Sequence, residues 1–151
     1  MQYLNHSIIL KALQYVGVAN EFSLQGILSI NLMLKQVGFD NLTYKTPWCG
    51  AFVGYVLFHC NCKFLKSLRA RDYLEYGFVT VCPELGDIVV FWRGSEDATT
   101  GHVGFFVTAN DTHVFCLGGN QNNTVSIQAY PINRVLGYRK ALVNSCSTVQ
   151  K

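Results

Sequence analysis

The pattern of apolar residues changes near Pro83, a little past the middle of the 151-residue chain, and this change constrains the fold more than any other feature. Before it, apolar residues recur at the spacing of amphipathic helices. After it, short runs rich in Val, Ile, Phe and Thr are bounded by Gly, Asn, Asp or Ser, as strands are. We therefore predict an α+β domain, with N-terminal helices packed on a C-terminal antiparallel sheet of about five strands.

Local signals set the limits of the predicted elements. Ser7 can cap the first helix, Gly38 can end the second, and Pro47 can open the third, where its missing N–H costs nothing. The predicted helices span residues 7–16, 22–37 and 48–59, with one further short helix within 65–77. The predicted strands span residues 87–92, 102–108, 112–117, 124–128 and 135–139. No linker or internal repeat interrupts them, so residues 1–151 are predicted to form a single domain.

Composition and charge narrow the classes of function. Half of the residues are hydrophobic and 14% are charged, which fits a folded globular domain. The net charge of +3 comes from scattered Lys and Arg, so nothing indicates a nucleic-acid partner, although an anionic substrate would suit it. No apolar stretch is long enough for membrane insertion, and the N-terminus does not resemble a signal peptide. We expect a monomer made in the cytoplasm that something else delivers to any target outside it.

The cysteines raise the question of disulfides or a metal site. Without an export signal, and with enough apolar residues for a core, most of them are interpreted as reduced core residues. A metal-binding module stays open, because His59-Cys60-Asn61-Cys62 with Cys82 or Cys116 offers enough ligands for zinc. The Cys-x-Cys spacing is tighter than the usual zinc spacing, so no metal or other cofactor is predicted. The six cysteines are Cys49, Cys60, Cys62, Cys82, Cys116 and Cys146.

Cys49 stands apart because it opens the third predicted helix, in the stretch TPWCGAFVGYVL. The first-turn N–H groups of a helix have no intrahelical partner, and the helix N-terminus carries partial positive charge, so both favour thiolate. The backbone N–H of Cys49 could also stabilise a developing oxyanion. These properties make Cys49 a candidate nucleophile, while the alternative is an ordinary small core residue.

Among the four histidines, His102 is the best placed to act as a base for this thiol. In GHVGFF it begins an apolar strand after a loop rich in Gly and Thr, and a strand end can face a helix tip. An imidazole needs a further group to set its tautomer. If the strands over 102–108 and 112–117 pair as a hairpin, Asn120 lies beside His102, and Gln121 could take the same role. A plain turn at this position is the alternative.

Five motifs follow one another in order: TPWCGAFV, GDIVVFWRGS, GHVGFFV, LGGNQNNTVSI and YPINRVLGYR. Together they resemble the CHAP and NlpC/P60 class of papain-like cysteine hydrolases, and more narrowly a CHAP-related group common in bacteriophages and bacteria. The resemblance extends from roughly Ala12 to Lys140. It implies a papain-like fold that forms a single catalytic domain.

The same resemblance implies a site and an activity. Cys49 would be the nucleophile, His102 the base and Asn120 the residue that orients the imidazole. Many CHAP domains carry Glu-Gly-Asn where this chain has Gly118-Gly119-Asn120, so the glutamate is missing and a Cys-His-Asn arrangement is expected. The class implies hydrolysis of amide bonds in peptidoglycan, by an N-acetylmuramoyl-L-alanine amidase or a stem-peptide or cross-bridge endopeptidase. The enzyme would be a phage endolysin or a bacterial enzyme of cell wall degradation, reaching the wall by lysis, injection or separate export.

Contacts with the peptidoglycan peptide are predicted on side chains near the thiol. Trp48 and Trp92 could line a groove, Tyr44 could point into the site from just upstream, and Gln121 could contact the substrate. Two further functions stay open. A papain-like deamidase or acyltransferase toxin acting on a protein would carry the same three catalytic residues, and a virion or secretion component could keep the fold only for binding.

Overall fold

The computed structural model describes residues 2–19 and 23–145. Within these ranges the chain forms three α-helices and then, after a 3₁₀ helix, a sheet of six strands. The α-helices are α1 (Gln2–Leu13), α2 (Leu24–Gln36) and α3 (Cys49–His59), and the 3₁₀ helices span Ala70–Glu75 and Ile132–Arg134. The strands are β1 (Phe78–Thr80), β2 (Ile88–Trp92), β3 (Gly101–Ala109), β4 (His113–Gln121), β5 (Thr124–Pro131) and β6 (Val135–Lys140).

The six strands form one open sheet in the order β1-β6-β2-β3-β4-β5, and every neighbouring pair is antiparallel. The prediction of an α+β domain, with helices first and an antiparallel sheet after them, is thus confirmed. The sheet has six strands rather than about five because β1 pairs with β6, from Phe78↔Lys140 to Thr80↔Tyr138. β1 is three residues long and mostly exposed, at the lower limit of strand length, so the sequence pattern does not separate it from a loop.

The main core lies between the helices and one face of the sheet. α3 packs against β3 and β4, and α1 and α2 pack against α3. Every α3 residue from Cys49 to Leu57 is buried. At Gly119 of β4 the helix comes so close that an added Cβ would lie 2.6 Å from Cβ of Phe52 and 2.7 Å from Cζ3 of Trp48. This contact fixes the start of α3 against β4.

A smaller apolar cluster covers the other face of the sheet, since side chains alternate between the two faces along each strand. It consists of Val89, Phe91, Phe106, Val114, Cys116 and Tyr130.

The predicted helix limits differ from the observed ones mainly at α1 and α2. α1 begins at Gln2, and the Ser7 hydroxyl donates to the carbonyl of Tyr3 inside the helix instead of capping it. Ser23 caps α2 by accepting from the N–H of Gly26. The predicted start of that helix, at residue 22, falls outside the described residues. The limits of α3 agree with the prediction to within one residue.

Candidate active site

Cys49 is the first residue of α3 and lines a cavity of about 440 Å³. It is 6% exposed and carries a free thiol. Its neighbour Gly50 lets another segment come close, because an added Cβ there would lie 2.8 Å from the carbonyl oxygen of Leu68. The thiol therefore lies where α3, the segment around Leu68 and the loop before β3 meet. The other residues that line the cavity are Pro47, Leu68, Arg69, Ala70, Arg93, Thr99, Thr100 and Gly101.

The surroundings of the thiol disfavour its ionisation. Burial raises the pKa of Cys49 and outweighs the groups that lower it. Those groups are the backbone N–H of Val103, the Arg93 guanidinium, and the N–H groups of Gly50 and of Cys49 itself. The N–H groups at the helix N-terminus thus favour thiolate, as expected, but the loss of hydration on burial is the larger effect. At neutral pH the candidate nucleophile is a neutral thiol.

His102 is the second residue of β3, and it is completely buried. Its Nε2 lies 3.0 Å from Oε1 of Gln121. The Gln121 amide can be oriented only one way, because its Nε2 lies 2.7 Å from the carbonyl oxygen of Ser126, which accepts and cannot donate. Oε1 therefore accepts from the imidazole, which carries its proton on Nε2 and has a free lone pair on Nδ1. No described group forms a hydrogen bond with that Nδ1.

The residue that contacts the imidazole is Gln121, which corrects the assignment of this role to Asn120. The pairing of β4 with β5 shifts between Gly118 and Gln121, and Asn120 has a left-handed φ of 56°. This irregularity interrupts the alternation of side chains along β4 and brings Gln121 to His102. Gly118 leaves the space for the contact, since a Cβ there would lie 2.8 Å from Oε1 of Gln121 and 3.0 Å from Nε2 of His102.

Aromatic rings pack beside the imidazole and keep water from it. Tyr130 stacks on His102 with ring centroids 5.3 Å apart, and Phe91 stacks on Tyr130 at 4.5 Å. Tyr130 also donates its hydroxyl to Oε1 of Gln121 at 3.1 Å. Burial lowers the pKa of His102 to about 4, and the Arg93 charge acts in the same direction, whereas the Gln121 hydrogen bond opposes both. The imidazole is therefore neutral at pH 7.

Cys49 lies near the two residues of β3 that flank His102, Gly101 and Val103. Gly101 lines the same cavity as Cys49, and the N–H of Val103 lies near enough to the Cys49 sulfur to lower its pKa. No hydrogen bond joins this sulfur to the imidazole, since Nδ1 has no partner among the described residues. The arrangement brings a neutral thiol to the strand segment that carries a neutral imidazole, whose Nδ1 is buried and has no partner among the described residues. A thiol and a base are the groups needed for general-base activation of a nucleophile.

The predicted substrate contacts lie away from the cavity at the thiol. Trp48 is completely buried in the main core, and Gln121 is 2% exposed and bound to the imidazole, so neither side chain can touch a substrate in this structure. Trp92 is partly exposed, but its indole N–H donates to a backbone carbonyl and its side chain does not line the cavity. Tyr44 is partly buried and is absent from the lining as well. Closeness in sequence to Cys49 does not place these side chains at the cavity.

Two arginines near the cavity are not predicted from the sequence. Arg93 directly follows β2 and lines the cavity, and its place in the motif GDIVVFWRGS is the one signal that could have pointed to it. Arg71 donates to the carbonyls of Ser95, Glu96 and Thr100 and so fixes the loop between β2 and β3. These contacts join residues 24 to 29 positions apart, which leaves no local trace in the sequence.

Comparison of the chain with protein-family models and with curated proteins finds no match. Within residues 2–19 and 23–145, no group of three or more His, Cys, Asp or Glu side chains could hold a metal ion, so the zinc-module alternative gains no support there. The five cysteines in those ranges are free, and Cys146 falls outside them. In the same part of the chain, no helix has the length and apolar character needed to cross a bilayer.

Proposed function

We propose that the protein is a cysteine-dependent hydrolase that cuts amide bonds in peptidoglycan, with Cys49 as nucleophile and His102 as base. One observation carries the chemistry: Gln121 binds Nε2 of His102 while Nδ1 is unpaired, on the strand segment that borders the Cys49 cavity. A buried polar nitrogen is costly to leave without a partner, and a reacting thiol would supply one. The substrate class rests on the resemblance of the ordered motifs to CHAP and NlpC/P60 hydrolases, with whose papain-like fold the α+β architecture is compatible.

The proposed reaction starts from the neutral pair. As the Cys49 sulfur attacks the amide carbonyl carbon, its proton passes to Nδ1 of His102, and the carbonyl oxygen takes up negative charge beside the N–H of Cys49. The imidazolium then protonates the leaving amine, and a thioester remains. Water attacks the thioester while His102 takes up one of its protons, and collapse releases the acid and returns a proton to the sulfur. Gln121 accepts from Nε2 throughout and so supports the ring when it is charged.

The decisive experiment removes the nucleophile and leaves another thiol in place. Cys49→Ala should abolish release of soluble fragments from purified peptidoglycan, a loss of more than about a thousand-fold, as expected when a nucleophile is deleted. Cys82→Ala is the matched control, because Cys82 is exposed and lies outside the cavity lining. It should keep wild-type activity. Full activity of folded Cys49→Ala would remove Cys49 from the mechanism.

Mass spectrometry of the released fragments identifies the bond. A new N-terminal alanine on a free stem peptide would indicate an N-acetylmuramoyl-L-alanine amidase, and shortened stem peptides or cut cross-bridges would indicate an endopeptidase. Ammonia released from a protein glutamine, with no change in peptidoglycan, would contradict wall hydrolysis and favour the deamidase alternative with the same nucleophile.

A further inference from the structure

The cavity beside the thiol is electrostatically one-sided. Among the described residues, its lining contains two arginines, Arg69 and Arg93, and no acidic residue. Arg69 has a carboxylate near it, since its Nε lies 3.9 Å from Asp72. The Arg93 guanidinium forms neither an ion pair nor a hydrogen bond with any other described residue. Arg93 is exposed and lines the cavity, so its charge is available to an anionic ligand there.

The backbone holds Arg93 in place and leaves its charge available. Its N–H donates to the Thr100 carbonyl, and its own carbonyl accepts from the Thr100 hydroxyl at 3.1 Å. Arg71 braces the same loop by donating to three of its carbonyls. The Arg93 charge also reaches both candidate reacting groups, because it lowers the pKa of Cys49 and that of His102. Because Arg93 and Cys49 line the same cavity, a ligand group bound by this guanidinium would share that cavity with the thiol.

We propose that Arg93 is a specificity-determining residue that binds a carboxylate of the substrate next to the scissile amide. The inference rests on the proposed function and names its substrate class. The enzyme would prefer wall peptides with a free carboxylate beside the cut over the same peptides with that group amidated. A guanidinium binds a carboxylate through two parallel, charge-assisted hydrogen bonds, whereas a carboxamide offers one acceptor oxygen and no charge.

The first test compares two stem peptides that differ only in this group, free carboxylate against carboxamide. We expect kcat/KM for the carboxylate peptide to be higher by about 10- to 100-fold, the range for a hydrogen bond to a charged group. Arg93→Gln should remove most of this preference by slowing only the carboxylate peptide. Arg69→Gln is the matched control, because it removes the other cavity arginine, and it should keep the preference. Equal slowing of both peptides by Arg93→Gln would overturn the inference.

A second test needs no knowledge of the natural substrate. Iodoacetate carries a carboxylate where iodoacetamide carries a carboxamide. Both reagents alkylate the thiolate, so the thiolate fraction cancels in the ratio of their rates at Cys49, and the ratio does not depend on the thiol pKa. Peptide mass spectrometry can follow Cys49 and the exposed Cys82 in one sample, and Cys82 supplies the reference ratio. We expect the iodoacetate-to-iodoacetamide ratio to be about 10-fold higher at Cys49 than at Cys82, and to fall with added salt. In Arg93→Gln it should approach the Cys82 value.

The two tests separate this inference from the proposed function. A carboxylate preference at Cys49 in a protein that does not cut peptidoglycan would support anion binding by Arg93 and refute wall hydrolysis. Peptidoglycan hydrolysis with equal ratios at Cys49 and Cys82 would refute the role of Arg93 and leave hydrolysis standing. If Arg93→Gln does not fold, two other measurements test the same role. The ratio at Cys49 should stay above the Cys82 value in Arg93→Lys, which keeps the charge, and the wild-type ratio should fall with added salt. A wild-type ratio that does not change with salt would refute the role of Arg93.

Discussion

The buried imidazole of His102 should make the stability of the protein depend on pH in a way that one substitution removes. In the folded protein, burial and the nearby Arg93 charge lower the pKa of His102 to about 4. In the unfolded chain the ring is hydrated and takes up a proton near its ordinary pKa of 6.5. Below that pH the unfolded state binds a proton that the folded state does not, so acidification favours unfolding.

The size of the effect follows from the difference between the two pKa values. One pKa unit corresponds to about 1.4 kcal/mol, so His102 alone should remove about 3 kcal/mol from the free energy of unfolding. The loss begins as the pH falls below 6.5, grows until about pH 4 and is constant below that. It is a large fraction of the roughly 5–15 kcal/mol that stabilises a typical domain.

Urea unfolding, followed by far-UV circular dichroism between neutral pH and pH 4, measures this contribution. His102→Gln keeps an amide donor for Gln121 but cannot bind a proton, so its free energy of unfolding should fall by about 3 kcal/mol less than that of the wild type. His6→Gln, an exposed residue on α1, controls for the loss of a histidine and should follow the wild type. Identical pH dependence of His102→Gln and the wild type would refute the reasoning, as would NMR titration of the His102 ring near its ordinary pKa.

Three further substitutions test the hydrogen bonds to Gln121 and the contact between α3 and β4. Gln121→Leu leaves the ring Nε2–H without its acceptor and should cost about 1–3 kcal/mol in urea unfolding, with a loss of about tenfold or more in fragment release from peptidoglycan. Tyr130→Phe removes only the second donor to the same oxygen and should cost about 1 kcal/mol with little loss of activity; equal effects of the two variants would contradict the assignment. Gly119→Ala should destabilise the protein by about 1–3 kcal/mol, because the added Cβ would overlap Phe52 and Trp48, and an unchanged Tm would contradict that contact.

The architecture can be predicted from the sequence because most of its elements carry local signals. Pro47 precedes α3, the apolar run through Leu57 continues it, and five of the six strands coincide with runs of branched and aromatic residues. β1 has the same residue types, Phe78-Val79-Thr80, but the run is only three residues long and mostly exposed, so it does not indicate a strand by itself. Its three residues are placed by pairing with β6 at the far end of the domain, from Phe78↔Lys140 onward. Pairing over that separation depends on the tertiary fold and cannot be derived from local propensity.

The candidate site can be predicted only to within one residue at its third position. Cys49 and His102 are identified by their places at the starts of a helix and a strand. The choice between Asn120 and Gln121 depends on a register irregularity in β4, and a shift of one residue exchanges the two faces of a strand. The asparagines at 120, 122 and 123 all have positive φ, so composition alone does not locate the irregularity. Burial of a side chain also depends on the tertiary fold. The sequence therefore predicts that the helix N-terminus lowers the pKa of the Cys49 thiol, but it does not predict the larger increase caused by loss of hydration.

The neutral state of the thiol and the imidazole changes what the start of α3 can contribute to the proposed reaction. If the N–H groups of Cys49, Gly50 and Val103 ionised the thiol in the free protein, their stabilisation would already be present in the ground state. Because burial keeps the thiol neutral, these donors act as negative charge develops, which is when an interaction accelerates a reaction. The pKa of His102 is low while the nearby thiol is uncharged. Protonating the ring costs less when a negative charge develops nearby at the same time. We therefore expect proton transfer to accompany attack, so the thiol reacts slowly until a carbonyl group is bound beside it.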